Sequence, residues 1–209
     1  MHIPDGFLDA KTAITAAAFS GTVLVLAFAK AKKKIGDKHI PLYGVLAAFI
    51  FAAQMLNFPV AGGTSGHFIG GALAGILLGP LGGTIVLTVV LVVQCLIFQD
   101  GGLTALGANV LNMAIVCPFI GYYLYIAFGK NKKNLLSRVF IAGLVSTVAA
   151  AIACSLELGI SGIVPLNIAL PAMTIVHIFI GIGEGVITFF VFSFLLKVRP
   201  DLLELDKLV

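Results

Sequence analysis

Residues 81–98 read LGGTIVLTVVLVVQCLIF, a run without a single charged side chain. A helix of about 20 apolar residues is long enough to cross the hydrocarbon layer of a bilayer. Similar blocks recur along the 209-residue chain, which is 60% hydrophobic and only 11% charged. Soluble domains carry about 25% charged residues. The composition therefore predicts an all-α, polytopic membrane protein without a soluble domain.

The apolar blocks predict about seven transmembrane helices in a single domain that covers residues 1–209. The expected spans are 10–30, 39–57, 66–79, 81–98, 104–129, 136–158 and 169–197. The third span is short and rich in glycine, which is compatible with a short helix, a broken helix or a re-entrant segment. Asp9 is the expected N-cap of the first helix, and Asn134 or Ser137 that of the sixth.

Basic residues are distributed unevenly between the predicted loops. All 13 lysines and arginines except Lys11 fall in three clusters, at 30–38, 130–138 and 197–207. With seven spans these clusters share one side with the C-terminus, and the positive-inside rule makes that side cytoplasmic. The N-terminus then faces outward with four carboxylates, which attract cations: Asp5, Asp9, Asp100 and Glu157. The positive-inside rule explains the positions of these basic clusters, and no nucleic-acid-binding patch is indicated.

Residues 1–9 lack the features of a secretory signal peptide. They carry two aspartates and no basic residue, whereas a signal peptide has a basic front end and a small-residue cleavage site. We therefore expect Met1 to be the mature N-terminus, with a free amine. Residues 1–9 are expected to form a metal-binding segment ahead of a helical bundle at 10–209.

The order Met1-His2 places three nitrogen donors within reach of one metal ion. The α-amine and the His2 amide close a five-membered chelate ring, and the amide and Nδ1 of His2 close a six-membered one. Metals that displace an amide proton bind in this way, chiefly Cu(II) and Ni(II), and both accept a planar nitrogen set. One corner of the square remains open for a fourth ligand.

Three other histidines could supply that ligand. His39 lies beside the cytoplasmic lysines, whereas His67 and His177 lie in the outer half. We favour His67 because the glycines around it allow backbones to approach closely. Either His2 or His67 could instead be only a hydrogen-bonding residue near the membrane interface.

Residues 1–8, which we call the leader, fit a segment that folds back into the bundle. Ile3-Pro4-Asp5-Gly6 suits a type I turn with proline at its second position and glycine at its fourth. Phe7 and Leu8 supply apolar anchors. A turn ahead of a helix would have the same pattern without any metal.

Several polar residues in the outer half are candidates to orient the ligands, because metal-bound histidines have their second nitrogen held by another group. These candidates are Gln54, Asn57, Ser65, Asn109 and Asn112. Each could equally join helices. Glu184 lies near mid-membrane, seven residues after His177 on the same helix face, and a gating or interface role suits both better than metal binding.

Sulfur-containing side chains have a simpler interpretation. Cys95, Cys117 and Cys154 lie inside apolar blocks and form no C-x-x-C pair, so we expect buried, reduced thiols. Three methionines also lie toward the outer side: Met55, Met113 and Met173. A thioether path for Cu(I) is conceivable, but packing is the favoured role.

The leader MHIPDGFL, the block SGHFIGGALAGILLGPLGG and the stretch HIFIGIGEG together resemble the nickel/cobalt substrate-binding membrane subunits of energy-coupling-factor transporters, the NikM/CbiM family. The resemblance covers essentially the whole chain. It implies seven helices, with the N-terminal segment inserted into the bundle. It also implies metal ligation by Met1, His2 and His67, with nickel favoured over cobalt because of Pro4.

The source of energy is expected to lie in other subunits. The chain has no G-x-x-x-x-G-K-[ST] loop for ATP. The resemblance implies a membrane scaffold subunit, two ATPase subunits and a small accessory membrane subunit, in a prokaryotic cell membrane. Small-residue patches are candidate docking surfaces for them, namely Ala48/Ala52 and Gly71/Gly75/Gly79.

We therefore expect a transport subunit that carries nickel, or cobalt, as substrate and uses no organic cofactor. An autonomous secondary carrier that depends on Glu184 is the main alternative. A membrane enzyme fits less well, because a filled four-nitrogen square leaves no open position for a substrate.

Overall fold

The protein is described from a computed structural model, which covers residues 1–34, 40–127 and 134–203. The helices are α1 (Ala10–Lys34), α2 (Ile40–Gln54), α3 (Gly71–Val93), α4 (Leu106–Asn109), α5 (Cys117–Ala127), α6 (Leu135–Ile160) and α7 (Leu166–Val198). Two short strands, β1 (Phe58–Pro59) and β2 (Ser65–Gly66), pair antiparallel between α2 and α3. π-helical turns extend α3 over Gln94–Phe98 and join α4 to α5 over Val110–Val116.

Five helical segments of the described residues are long and apolar enough to cross a membrane. They are Ala10–Ala31, Gly71–Phe98, Leu106–Ala127, Leu135–Ile160 and Leu166–Val198, while α2 is apolar but only 15 residues long. Large apolar side chains remain exposed on the helix surfaces, as Phe179 does at 71%. The protein is therefore a mostly helical, multi-pass membrane protein.

The predicted spans 66–79 and 81–98 share one element, α3, which contains their residues 71–79 and 81–93 and is broken at Gly79. Gly79 has φ 73° and ψ 165°, and Pro80 follows it, so the helical hydrogen bonds are interrupted there. A Cβ placed on Gly83 would lie 2.9 Å from the backbone nitrogen of Gly75, although eight residues of continuous helix rise about 12 Å. The chain thus folds back on itself at Gly79. Of the three alternatives for the glycine-rich segment, the structure has a short helix, which begins at Gly71 and ends at the reversal at Gly79.

Glycine also brings α3 into close contact with α5. A Cβ on Gly75 would lie 3.0 Å from Cα of Pro118. Gly71, Gly75 and Gly79 are all buried within the chain, so the expectation that they form a docking surface for another subunit is wrong. Ala48 and Ala52 of α2, in contrast, are exposed.

The ends of the helices follow local sequence only in part. Asp9 caps α1 as predicted, since its carboxylate accepts hydrogen bonds from the N–H groups of Lys11 and Thr12, both at 3.2 Å. Asn134 precedes α6 but makes no capping hydrogen bond through its side chain. Arg138, assigned to a topological cluster, is buried and donates from Nε to the carbonyl of Tyr125 at 2.9 Å. His39 and the lysines at 38, 130, 132, 133 and 207 lie outside the described residues.

Candidate metal site at the N-terminal segment

The first three residues are buried inside the helical bundle. Met1 and Ile3 have no exposed surface, and His2 is 4% exposed. Phe7 and Leu8 pack against the same apolar core, as expected for anchors. The leader is therefore seated among the helices.

The turn that follows differs by one residue from the predicted turn. The hydrogen bond that closes it runs from the N–H of Phe7 to the carbonyl of Pro4, at 3.4 Å. Gly6 has φ 82°, as the third position of a type II turn requires. The prediction of a type I turn over residues 3–6 is therefore wrong, because the positive φ of Gly6 makes it the third residue of the turn and Pro4 the first.

Asn109 of α4 holds the leader through its backbone. Its Oδ1 accepts from the N–H of Ile3 at 2.8 Å, and its Nδ2 donates to the carbonyl of Ile3 at 3.1 Å. The N–H of Gly102 donates to the same carbonyl at 2.8 Å. A side chain on Gly102 would collide with the backbone of Asp5, so glycine is needed for the leader to lie this close.

Asp5 anchors the outer end of the leader through hydrogen bonds. Its Oδ1 accepts from the backbone N–H of Thr104 at 2.8 Å and from its hydroxyl at 2.5 Å. These hydrogen bonds lower the pKa of the exposed Asp5 carboxyl, so it is ionised at neutral pH. The segment is thus held at two points, Ile3 and Asp5.

The Met1 amine and the His2 amide meet at one atom. Oγ of Ser65 lies 2.9 Å from the Met1 nitrogen and 3.0 Å from the His2 nitrogen, and accepts from both. Burial lowers the pKa of the amine to about 5, with smaller opposing effects of Cys154 and Asp100. At neutral pH the amine therefore carries a free lone pair, as a metal ligand requires.

The imidazole of His2 lies between two oxygen atoms. Nε2 is 3.1 Å from Oε1 of Gln94, and Nδ1 is 3.2 Å from Oδ1 of Asp100. Burial, followed by the charge of the Met1 amine, lowers the pKa of His2 to about 3. The ring is therefore neutral, and its contact with Asp100 is not an ion pair.

His67 lies directly against His2. The two ring centroids are 4.5 Å apart and the planes are inclined by 23°. Nδ1 of His67 donates to the carbonyl of Phe68 at 2.7 Å, while the buried Nε2 has no hydrogen-bond partner within the described ranges. Burial keeps the pKa of His67 well below its usual value. The ring thus presents a neutral, unoccupied nitrogen close to the leader.

The loop that carries His67 is fixed from two sides. Glu184 of α7 accepts from the N–H groups of Ile69 at 3.1 Å and Gly70 at 2.7 Å. Gln54 of α2 donates from Nε2 to the carbonyl of Ile69 at 2.7 Å. Glu184 therefore bonds to the loop beside His67, which agrees with an interface role.

The remaining candidates are divided between the site and other contacts. Asn57 donates to both carboxylate oxygens of Asp100, at 3.2 Å each, and so lies one contact away from His2. Asn112 instead donates to Glu157 at 2.6 Å. Nδ1 of His177 bonds to the carbonyl of Met173 within α7, at 2.7 Å, although His177 is near enough to influence His67 electrostatically.

Two residues that touch His2 were not among the predicted site residues: Gln94 was not named, and Asp100 was named only as a carboxylate on the outer side. A usable signal was present, because Gln94 is a lone amide in an apolar run and Asp100 precedes the pair Gly101-Gly102. Among the described residues, no group of three or more His, Cys, Asp or Glu side chains could hold a metal ion. The three cysteines are buried and unpaired, as predicted. A metal at the leader would therefore need nitrogen atoms of the main chain.

Comparison with known proteins places this arrangement in a family. Residues 2–202 match the family described as "Cobalt uptake substrate-specific transmembrane region", CbiM. A putative fused nickel transport protein, NikMN, of Archaeoglobus fulgidus is 48% identical over 206 residues, which cover 98% of this chain and 68% of that protein. A putative metal transport protein of Haloquadratum walsbyi is 44% identical over 204 residues, covering 97% of this chain and 93% of the relative.

A solved structure has the same fold. The crystal structure of a transition metal transporter superimposes with a TM-score of 0.90 at 38% identity, covering 95% of this chain and 93% of that chain. A transporter family with this membrane fold indicates a transport component and not an enzyme. The chain therefore belongs to the CbiM family of substrate-specific transmembrane components of nickel and cobalt transport.

Proposed function

We propose that the chain captures Ni(II) on the outer side of the cell membrane through the Met1 amine, the amide nitrogen and Nδ1 of His2, and Nε2 of His67. The observation that carries this proposal is the meeting of the Met1 and His2 nitrogens at Oγ of Ser65, both within 3.0 Å. Donors that converge on one oxygen need little movement to converge on a cation. The unpartnered Nε2 of His67 is a suitable fourth donor.

One rearrangement accompanies binding. A metal lies in the plane of the imidazole that ligates it, and the two histidine rings are nearly parallel at a centroid distance of 4.5 Å. The His67 ring must therefore turn about its χ angles to aim Nε2 at the plane of the leader nitrogens. Ser65 stays beside the metal as a neutral hydroxyl and is not itself a ligand.

The choice of nickel rests on the donor set. Three main-chain and imidazole nitrogens in one plane, one of them a deprotonated amide, suit Ni(II) better than the more weakly bound Co(II). Cobalt remains the alternative substrate, since the matching family is described by cobalt uptake. The metal is cargo in either case, and no organic cofactor is proposed.

Transport is proposed to be driven by other subunits, in an energy-coupling-factor assembly. This chain would work with a membrane scaffold, two ATPase subunits and a small accessory membrane subunit. Seven spans, an outward N-terminus and a cytoplasmic C-terminus complete this arrangement in one domain at 1–209. The distribution of basic residues supports the orientation. Partner identities and the inner-membrane location follow from family resemblance.

The autonomous carrier is less well supported. A carrier of that kind needs a mid-membrane carboxylate that exchanges protons with the substrate pathway. The carboxylate of Glu184 is 1% exposed and accepts from the N–H groups of Ile69 and Gly70. Its contacts match a role in holding the His67 loop.

The decisive experiment compares the protein starting at Met1 with a version that has two extra residues before Met1, because a single added residue would make the histidine third and create a new four-nitrogen chelate from the amine, two amides and the imidazole. Intact-mass measurement first verifies that the native amine is unmodified. We expect a yellow, four-nitrogen nickel absorption band from the native protein. The extended protein should lack the band, because its α-amine no longer lies at the buried position of Met1 beside His2. Equal nickel binding by both proteins would overturn the role of the amine.

A further inference from the structure

Asp100 lies between His2 and the solvent-exposed surface. Its side chain is 19% exposed, whereas that of His2 is 3% exposed. Both residues line one open cavity of about 430 Å³, together with Asn57 and Ser65. A cation that reaches the leader through this cavity meets the Asp100 carboxylate on the way.

The contact between the two residues brings two potential metal ligands together. Nδ1 of His2 lies 3.2 Å from Oδ1 of Asp100, and it is buried without a hydrogen-bond partner among the described residues. An imidazole nitrogen and a carboxylate oxygen at this separation can both contact one divalent cation.

Asn57 keeps the carboxylate in that position. Its Nδ2 donates to both oxygens of Asp100 at 3.2 Å. The carboxylate is thus aimed before any metal arrives, and it does not need to be ordered at the moment of capture.

We propose that Asp100 and Nδ1 of His2 form a docking site for a hydrated divalent cation, which the ion occupies before it enters the four-nitrogen site. This inference rests on the proposed function. Carboxylate oxygen and imidazole nitrogen are ligands that a partly hydrated Ni(II) or Co(II) ion accepts. The ion then exchanges Asp100 and water for the Met1 amine, the His2 amide and His67. The amide proton leaves to solvent and Nδ1 stays bound throughout.

A docking step of this kind controls the rate and leaves the final complex unchanged. If docking is a rapid pre-equilibrium, the observed association rate is the docking constant multiplied by the rate of ligand exchange. Removing the carboxylate charge should therefore slow association. The spectrum at completion should stay the same, because Asp100 is absent from the final ligand set.

The test follows the growth of the nickel absorption band after mixing Ni(II) with the native protein, Asp100→Asn and Asp9→Asn. Asp9→Asn is the matched control, because it removes one carboxylate charge from the outer side while asparagine still caps α1. We expect Asp100→Asn to slow association about tenfold, within the range of electrostatic focusing, and Asp9→Asn to stay near the native rate. The final bands should be identical.

Three other results would overturn the docking role. Equal rates for Asp100→Asn and native protein would show that nickel does not pass over Asp100, and the native band would leave the proposed function intact. A changed or missing final band in folded Asp100→Asn would make Asp100 a permanent ligand. If Asp100→Asn fails to fold, the native rate is measured between about 20 and 200 mM salt, where screening changes strongly. A rate that is independent of salt would then reject the docking site.

Discussion

The carboxylate of Glu184 accepts a hydrogen bond from the N–H of Gly70 at 2.7 Å, which joins the last helix to the residue just before α3. The two residues are 114 positions apart in the chain. His67 is three residues from Gly70, so a contact deep in the bundle determines where the proposed fourth ligand lies.

Replacing Glu184 by leucine should release the His67 loop. Two buried N–H groups would lose their acceptor, at a cost of about 1–3 kcal/mol each. We expect a lower midpoint of thermal unfolding and nickel affinity reduced by about tenfold. Unfolding in detergent and nickel titration measure the two effects.

Glu184→Gln is the matched variant, because both N–H groups reach the same carboxylate oxygen and the amide oxygen of glutamine can accept from both. It should retain most of the affinity and transport. Loss of transport with normal nickel binding in Glu184→Gln would favour the autonomous carrier over the positioning role.

The Met1 amine should resist acylating reagents in the native protein. It is fully buried and donates to Ser65 at 2.9 Å, whereas exposed lysines react. Ser65→Ala removes the acceptor shared by the Met1 and His2 nitrogens, so labelling of Met1 should rise several-fold. Peptide mass spectrometry after brief acylation gives the labelled fraction.

Ser65→Thr controls for the hydroxyl in that experiment and should protect Met1 as the native residue does. Ser65→Ala should still bind one nickel ion, because the hydroxyl is not a proposed ligand. A native degree of protection in Ser65→Ala would show that the hydroxyl does not hold the amine.

Gly102→Ala should displace the leader without unfolding the bundle. The added methyl would lie 2.6 Å from Oδ1 of Asp5 and still nearer to the backbone of Asp5, and overpacking of this kind costs about 1–3 kcal/mol. We expect nickel binding to be lost and Met1 to become reactive toward acylation. The protein should still elute as a folded species in size-exclusion chromatography.

Gly21→Ala is a suitable control, since a Cβ at Gly21 has no atom within 4 Å. It should bind nickel normally. Native nickel binding by Gly102→Ala would mean that the leader can bind metal from a different position.

Replacing Ala48 and Ala52 by leucine should prevent co-purification of the scaffold subunit and leave nickel binding unchanged. Both residues are on the exposed side of α2, where bulky side chains block close helix approach. Lys11→Leu on α1 supplies an exposed control change. Co-purification that survives both substitutions would remove this face as the docking surface.

The sequence predicted those features that depend on neighbours in the chain. Asp9 caps α1 because a capping residue and its N–H partners are two or three positions apart. A short helix that ends at Gly79 was among the alternatives for its segment, because a glycine followed by proline interrupts the helical hydrogen bonds. The turn at Pro4 was misplaced by one residue, since proline favours the second position of a turn, whereas the positive φ of Gly6 makes Pro4 the first residue.

Contacts across the bundle were harder to predict. Asn112 was a candidate for the metal site because of its polarity and depth, yet it faces Glu157. Gln94 touches His2 from 92 positions away, and this depends on how the extension of α3 packs after the chain reverses at Gly79. Hydropathy indicates which segments lie in the membrane, but it does not show which side chains contact one another.

The seating of the leader also has a consequence for biosynthesis. Residues 1–8 leave the ribosome before any of their partners, whereas Ser65, Gln94 and Asn109 are made 64 to 106 residues later. The leader can therefore reach its buried position only after the helices around it have been inserted. Residues 1–8 are thus among the last parts of the chain to be placed. Metal-loaded protein would then report on completed assembly, since a partly inserted chain lacks the residues that hold the leader in place.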